Sequence, residues 1–403
     1  MTEHTNTPEL RFPEFKDEWK LQKLGNLAQF SKGKSLSKKD LNINGKPCIL
    51  YGELYTKYGA ILNKVYSKTS TQNDSLVFSK RNQILIPSSG ETDIDIATAT
   101  AIDTDVKIAI GGDLNIITPI NSDGRFISLY INGKGKYNLA KYAQGKSVVH
   151  LYNSDIKKLN FYLPTNMAEQ KKIGDFFSKL DQQIELEEKR LELLEQQKRG
   201  YMQKIFSQGL RFKDEEGNYY KEWDTKQLKD VLEFSNKRTT NENEYPVLTS
   251  SRQGLILQSD YYKDGKTFAE SNIGYFILPK NYITYRSRSD DGIFKFNLNQ
   301  IIDVGIISKY YPVFKGINAN QYYLTLHLNY RLKKEYIKYA TGTSQLVLSQ
   351  KNLQNIQTKL PSYEEQTKIA NFLSELDKLI EKQSDKVELL KDRKKGLLQK
   401  MFV

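Results

Sequence analysis

The chain has 403 residues and a formal net charge of +13, with hydrophobic residues at 38% and aromatics at 11%. That apolar content can fill real cores, which excludes a wholly disordered chain, and the positive excess points to a polyanionic partner. The single cysteine, Cys48, excludes an intramolecular disulfide and a cysteine-based zinc site, and His4, His150 and His327 lack metal-ligand spacing.

A length of this order predicts two or three domains at about 150 residues each. The opening segment MTEHTNTPEL has no basic-then-apolar leader pattern, and no apolar run approaches the ~18 residues of a membrane span, so the expected location is the cytoplasm.

Residues 1–164 read as a first globular domain of mixed α/β type with short strands. Ile84-Leu85-Ile86 forms a strand, and the polar loop Pro87 to Thr92 follows it. In that loop Ser88, Ser89, Glu91 and Thr92 are candidate contacts to base edges or backbone, and Lys146 is a further candidate. The same composition also suits an ordinary surface turn. Gly145-Lys146-Ser147 imitates the end of a phosphate-binding loop, but Ala140 stands where its first glycine is required. A lone histidine such as His150 reads as packed or hydrogen-bonded rather than as a ligand.

Residues 165–207 read as one long helix. It follows Leu163-Pro164, offers a capping box in Asn166 and Glu169, and contains no further proline. An alternating three-and-four spacing picks out Ile173, Phe177, Leu180, Ile184, Glu187, Leu191, Leu194, Lys198, Tyr201 and Ile205. Residues 208–361 read as a second mixed α/β domain. Its strand Ile283-Thr284-Tyr285 leads into the loop Arg286 to Gly292, where Arg286 and Arg288 are candidates for bidentate contact with guanine or phosphate; Arg252 is a weaker one. Residues 362–403 read as a second long helix after Leu360-Pro361, with Ser362 and Glu365 as capping box. Its seam is Ile369, Leu373, Leu376, Ile380, Gln383, Val387, Leu390, Lys394, Leu397 and Met401.

These parts repeat. Trp19, Leu24, Phe30 and Ser31 recur as Trp223, Leu228, Phe234 and Ser235 at an offset of 204, and Leu10-Arg11-Phe12 recurs as Leu210-Arg211-Phe212. Residues 169–206 align with 365–402 without a gap at an offset of 196. Eight of ten seam positions are apolar in each helix, and the two polar ones fall at the same places, so the pattern is a coiled-coil seam whose polar positions fix register or lie exposed. A helix of about 40 residues is ~60 Å long and needs a partner for its stripe. Antiparallel pairing of the two copies is the expected arrangement, through Ile173, Phe177, Leu180, Ile184, Leu191 and Leu194 on one and Ile369, Leu373, Leu376, Ile380, Val387 and Leu390 on the other. Packing of each helix on its own globular part is the alternative.

The charge is unevenly placed. Residues 12–164 carry +7 and residues 212–361 carry +5, while helix residues 165–206 are neutral and 362–403 carry +1. Two basic heads joined by a balanced coiled coil suggest two nucleic-acid readers. No two prolines are adjacent, so the Asn/Asp-Pro-Pro-aromatic tetrapeptide of amino-methyltransferases is absent, and the sequence offers no convincing nucleophile–base pair.

Two basic domains alternating with two near-identical Glu-Gln-containing helices resemble the specificity subunits of Type I restriction–modification systems. The carriers are the LP…EQ-xx-I-xx-F helix starts at Leu163 to Phe176 and Leu360 to Phe372, with Ile84 to Thr92, Gly111 to Asn115 and Thr249 to Asp260. The resemblance implies an α/β (α+β) fold in which each globular part is a target recognition domain reading half of a split double-stranded DNA site. The helices would set the spacing and dock methylation subunits, two being expected. S-adenosylmethionine, ATP and Mg would belong to those subunits and to separate restriction/translocase subunits, leaving this chain without cofactor, metal or catalytic residues of its own. A stand-alone bipartite DNA-binding regulator or coiled-coil scaffold shares the architecture and remains the other reading.

Overall fold

Continuous apolar runs make the central strands. In a computed structural model, which describes residues 6–62, 64–261 and 271–403, Ile84-Leu85-Ile86-Pro87 is buried at every position, as expected of a strand covered on both faces. His4 lies outside the described residues.

In the first half of the chain we name β1 (Lys20–Lys23), β2 (Ala28–Lys32), β3 (Ile84–Pro87), β4 (Ser89–Gly90), β5 (Thr100–Ala101), β6 (Leu114–Pro119), α1 (Gly124–Asn132), β7 (Val149–His150), β8 (Asn160–Leu163) and the long helix α2 (Met167–Phe206). The second half repeats the plan with β9 (Asp224–Gln227), β10 (Leu232–Ser235), β11 (Ile283–Tyr285), β12 (Arg288–Ser289), β13 (Phe296–Leu298), β14 (Val313–Gly316), α3 (Gln321–Tyr330), β15 (Leu346–Val347), β16 (Gln357–Leu360) and α4 (Tyr363–Lys400). The central sheets have the orders β2-β6-β3-β5 and β10-β14-β11-β13, so the same element occupies the same place in each. Short antiparallel pairs β1–β8 and β9–β16 close each globular part just before its long helix. The expected mixed α/β class with two long helices is the class observed.

The described chain divides into two compact units, residues 1–190 with 383–403 and residues 191–382. Each unit therefore includes part of both long helices. In the first, Trp19, Phe126, Ile173, Phe177, Leu180 and Ile184 share one core with Leu390, Met401 and Phe402. In the second, Trp223, Tyr323, Ile369, Leu373 and Leu376 share a core with Ile205 and Phe206. The seam thus does both things the sequence left open: near each helix start it packs on the preceding globular part, and it also meets the other helix. Val387 is buried, while Leu191, Leu194 and Ile380 are half-buried.

The pairing is antiparallel. Within the first unit Lys394 meets Asp181 at 2.5 Å, Lys391 meets Glu188 at 2.6 Å and Lys386 meets Glu187 at 2.5 Å. Within the second unit Lys198 meets Asp377. Burial raises the pKa of Asp181 despite Lys394 beside it, so that carboxylate is held at a cost in desolvation.

The expected capping boxes form only on one side. Asn166 Oδ1 accepts from the Ala168 amide at 2.9 Å and Ser362 Oγ accepts from the Glu365 amide at 3.3 Å. The reciprocal glutamates turn away, because each is the buried acceptor for a guanidinium and an indole. Arg11 donates to Glu169 at 2.7 and 2.8 Å and Trp19 Nε1 donates at 3.2 Å. Arg211 and Trp223 repeat this on Glu365, at 2.8, 3.0 and 3.2 Å. The next residue completes the joint: Gln170 donates to the Pro164 oxygen and accepts from the Asp123 amide, and Gln366 does the same with Pro361 and Asn320. Asp123 and Asn320 are the N-caps of α1 and α3, so the Glu-Gln pair ties each long helix to the helix of its globular part.

Candidate nucleic-acid interface

Each central strand leaves its sheet into a short ribbon. Beyond β3, Ser89–Gly90 pairs antiparallel with Val149–His150; beyond β11, Arg288–Ser289 pairs with Leu346–Val347. The returning strands come from matching hairpins, Tyr142 to Leu151 and Tyr339 to Leu348. At Gly145 and Gly342 φ is +121° and +115°, and an added Cβ would lie 2.2 Å from a carbonyl oxygen of the same hairpin. Only glycine suits both turns. The phosphate-loop lookalike Gly145-Lys146-Ser147 is this turn, and it leaves Lys146 exposed.

In the second unit Arg252, Arg286 and Arg288 converge. Together with Lys295 and the serines Ser250, Ser251 and Ser289 they line a cavity of about 90 Å³. Arg252 donates to Asp291 at 2.6 Å. The Ser289 hydroxyl, the Ile293 amide and Arg252 hold the Asp291 carboxyl at about 2. Arg286 and Arg288 are exposed and have no carboxylate partner among the described residues. Arg288 lies 5.2 Å from the centre of the Tyr310 ring, and Lys309 lies 5.7 Å from it. Tyr310, Lys309 and Arg288 also border a neighbouring cleft of about 270 Å³. Burial, with Lys198 and Lys333 nearby, lowers the pKa of the half-buried Lys295. A concave surface with this excess of donors suits phosphate oxygens or guanine edges.

The loop of the first unit is less concentrated. Ser88 is 5% exposed, with its amide bonded to the Asp113 oxygen and its own oxygen accepting from the Leu151 amide. Ser89 shares a 3.1 Å hydrogen bond with His150 Nδ1. Thr92 accepts from the Asp95 amide at 3.1 Å and donates to its carboxylate at 2.7 Å, capping the turn Asp93–Ile96. Glu91 is exposed. Ser89 and Lys146 therefore sit on one ribbon and its hairpin, while Thr92 is engaged in a cap. Sequence reasoning missed Lys295, Tyr310 and His150 as neighbours of these residues. A signal existed: Tyr142-Ala143, Gly145, Ser147 and Leu151 recur as Tyr339-Ala340, Gly342, Ser344 and Leu348 at an offset of 197.

Among the described residues no group of histidine, cysteine or acidic side chains could hold a metal ion, and no helix is long and apolar enough to cross a membrane.

The chain matches the Type I restriction modification DNA specificity domain over residues 16–196 and 220–389. It is 25% identical over 425 residues to the Type I restriction enzyme MjaVIII specificity subunit of Methanocaldococcus jannaschii, with 96% of this chain and 92% of the relative covered. Its fold is similar to a crystal structure of a Type I restriction–modification S subunit from M. genitalium, at a TM-score of 0.63 and 17% identity over 98% of this chain and 99% of that one. A chain from a structural study of complex assembly and conformational transition in the Type I restriction–modification system is similar at a TM-score of 0.52 and 13% identity, over 94% and 96%.

Proposed function

The chain belongs to the family of Type I restriction–modification DNA specificity subunits, and from that membership we propose how its parts divide the work. The chain supplies DNA sequence specificity. Each globular part reads one half of a bipartite site in double-stranded DNA. The paired helices set the separation of the halves and dock methylation subunits, two per chain. Those subunits hold S-adenosylmethionine, separate restriction subunits hold ATP and Mg, and this chain contributes no catalytic group.

The observation that carries this reading is the repeat itself. One unit of reader and helix occurs twice, and the family match spans both copies. The cation-lined cavity of the second unit supports DNA contact by Arg252, Arg286 and Arg288. In the first unit Ser89, Glu91, Thr92 and Lys146 are the accessible members of the proposed contact set, with Ser88 beneath them.

Sequencing of methylated adenines in cells with and without this gene tests the reading. The expected result is a two-part motif that disappears with the gene. Unchanged methylation, or methyl transfer by the isolated chain, would overturn it.

A further inference from the structure

The two ribbons occupy the same place in the two units, but their hydrogen-bonding groups differ. Arg288 stands in β12 where Ser89 stands in β4, each after the matching core strand. Across the ladder Arg288 faces Val347, and Ser89 faces His150. The second unit thus puts its donors on the outgoing strand opposite an apolar residue. The first unit puts a small hydroxyl there and an imidazole opposite it. Facing positions of a ladder lie about 5 Å apart, so the imidazole reaches the neighbourhood that the guanidinium serves in the other copy.

The imidazole is held in place. Its Nδ1 shares the 3.1 Å hydrogen bond with Ser89 Oγ, and its ring stacks on Tyr152 with centroids 6.1 Å apart at 20°. The Lys32 ammonium lies 5.8 Å from the Tyr152 ring centre. A cation beside an aromatic ring therefore accompanies both ribbons: Lys32 on Tyr152 here, Arg288 and Lys309 on Tyr310 there. No group among the described residues bonds His150 Nε2. When Ser89 donates to Nδ1, Nε2 carries the proton and is a donor.

Resting on the reading of the chain as a DNA-specificity subunit, we infer that His150, oriented by Ser89, is a specificity-determining residue of the first unit and donates from Nε2 to a base-edge acceptor, guanine O6 or N7 or adenine N7. It is the functional counterpart of Arg288, displaced across one rung of the ribbon. Tyr152 and Lys32 support it, the first by stacking and the second through the adjacent backbone phosphate.

The test uses the full chain with its methylation partner in cells and reads methylated adenines by sequencing. His150→Ala is expected to weaken the base preference about tenfold or more at one position of one half-site, leaving the other half unchanged. The unchanged half reports an intact fold. His150→Phe keeps the stacking on Tyr152 and removes the hydrogen bond, so it is expected to relax the same position. Wild-type preference in either variant would overturn the inference, as would uniform loss at both halves, which would mark His150 as structural. If Arg288→Ala relaxes the opposite half while both His150 variants are unchanged, the inference fails and the DNA-specificity reading stands. Absence of any gene-dependent split motif would sink that reading, and the inference with it.

Discussion

Gln383 Nε2 donates to the backbone oxygen of Glu187 at 2.9 Å and to its carboxylate at 2.7 Å. Residue 383 is the counterpart of residue 187 in the repeat, so the helix pair brings one position face to face with itself. To either side, Asp181 with Lys394 and Asp377 with Lys198 are one pair with its roles exchanged between helices. An isologous contact has this property. The polar seam positions are therefore paired, and Gln383 is only 7% exposed. A slip of one helix along the other would bury these groups without partners, which makes them determinants of register.

Gln383→Ala is expected to destabilise the chain by about 1 kcal/mol, the usual net loss for one such hydrogen-bonding group. Gln383 and Lys386 hold the Glu187 carboxyl below its ordinary range. The coupling is accordingly full above about pH 4.5 and lost as the pH falls through the lowered value. A double-mutant cycle with Glu187→Ala, measured by urea denaturation at pH 7 and at a series of values from about pH 4.5 downward, should show the coupling intact at pH 7 and declining along the series.

The joint at the helix starts should be costlier to break. Glu169 is 1% exposed and serves Arg11 and Trp19 together. Glu169→Ala leaves a part-buried guanidinium without its carboxylate, though still bonded to the Asp17 oxygen, and an indole N–H unpaired, an expected loss of about 3 kcal/mol. Glu365→Ala should act alike on Arg211 and Trp223. Glu169→Gln keeps an acceptor for the indole and is expected to lose less. Equal denaturation midpoints for wild type and both alanine variants would refute the role.

His327 gives the second unit a pH dependence. It is fully buried among Tyr323, Thr358 and Phe206, and burial holds its pKa at about 3 against an ordinary 6.5. Between those values the unfolded chain binds the extra proton, so this contribution is complete above about pH 6.5 and declines on acidification. The expected slope is about 1.4 kcal/mol per pH unit within that window. Thermal unfolding across pH 4 to 7 should show it, and His327→Gln should flatten it.

Periodic and repeated features were legible in the sequence. The long helices follow from Leu-Pro starts, helix-forming composition and the three-and-four seam, and the repeat at offset 196 showed that two such helices exist. What pairs across long separations was not legible. Glu169 looked like half of a capping box because spacing alone cannot show Arg11 and Trp19 arriving from about 150 residues upstream. Arg286 and Arg288 were visible as a loop, but Lys295 joins them only through the return of the chain along β13. His150 reads in the sequence as packed or hydrogen-bonded, and it is hydrogen-bonded, but a lone histidine carries no local signal of its partner Ser89, 61 positions away.

Arg286 and Arg288 should matter to recognition and leave the fold alone, since both are exposed and free of carboxylate partners among the described residues. Each alanine variant is expected to cost about 1–3 kcal/mol of discrimination at one half-site if the arginine reads a base edge. If it holds phosphate instead, all sequences should weaken about equally and the salt dependence should fall by about one ion. Binding titrations at several salt concentrations on cognate and half-mutated sites distinguish these outcomes. Unchanged binding in both variants would make the loop an ordinary turn.

A fragment of residues 1–207 retains one reader and the whole of α2. In the full chain Trp19, Phe126 and Phe177 are completed by the ring of Phe402, which the fragment lacks. It does contain Phe206, the counterpart of Phe402, and the seam residues Leu180, Ile184, Leu191 and Leu194. Two copies pairing antiparallel through α2 can each insert Phe206 into the other's core and join Asp181 of one to Lys198 of the other. The fragment should therefore form a homodimer, and with methylation subunits it should direct methylation of an inverted repeat of one half-site. The pairing carries one defect, because Glu187 would face a second Glu187 where the full chain has Gln383. Glu187→Gln should relieve that repulsion and tighten the dimer about fivefold or more, equivalent to roughly 1 kcal/mol. For the same reason the unmodified dimer should tighten as the pH falls toward the carboxylate range, and the Gln variant should respond less. Sedimentation equilibrium of both fragments from pH 5 to pH 8 measures this. Two strictly monomeric fragments would mean that the seam does not pair with itself, and the isologous account of Glu187 and Gln383 would fall.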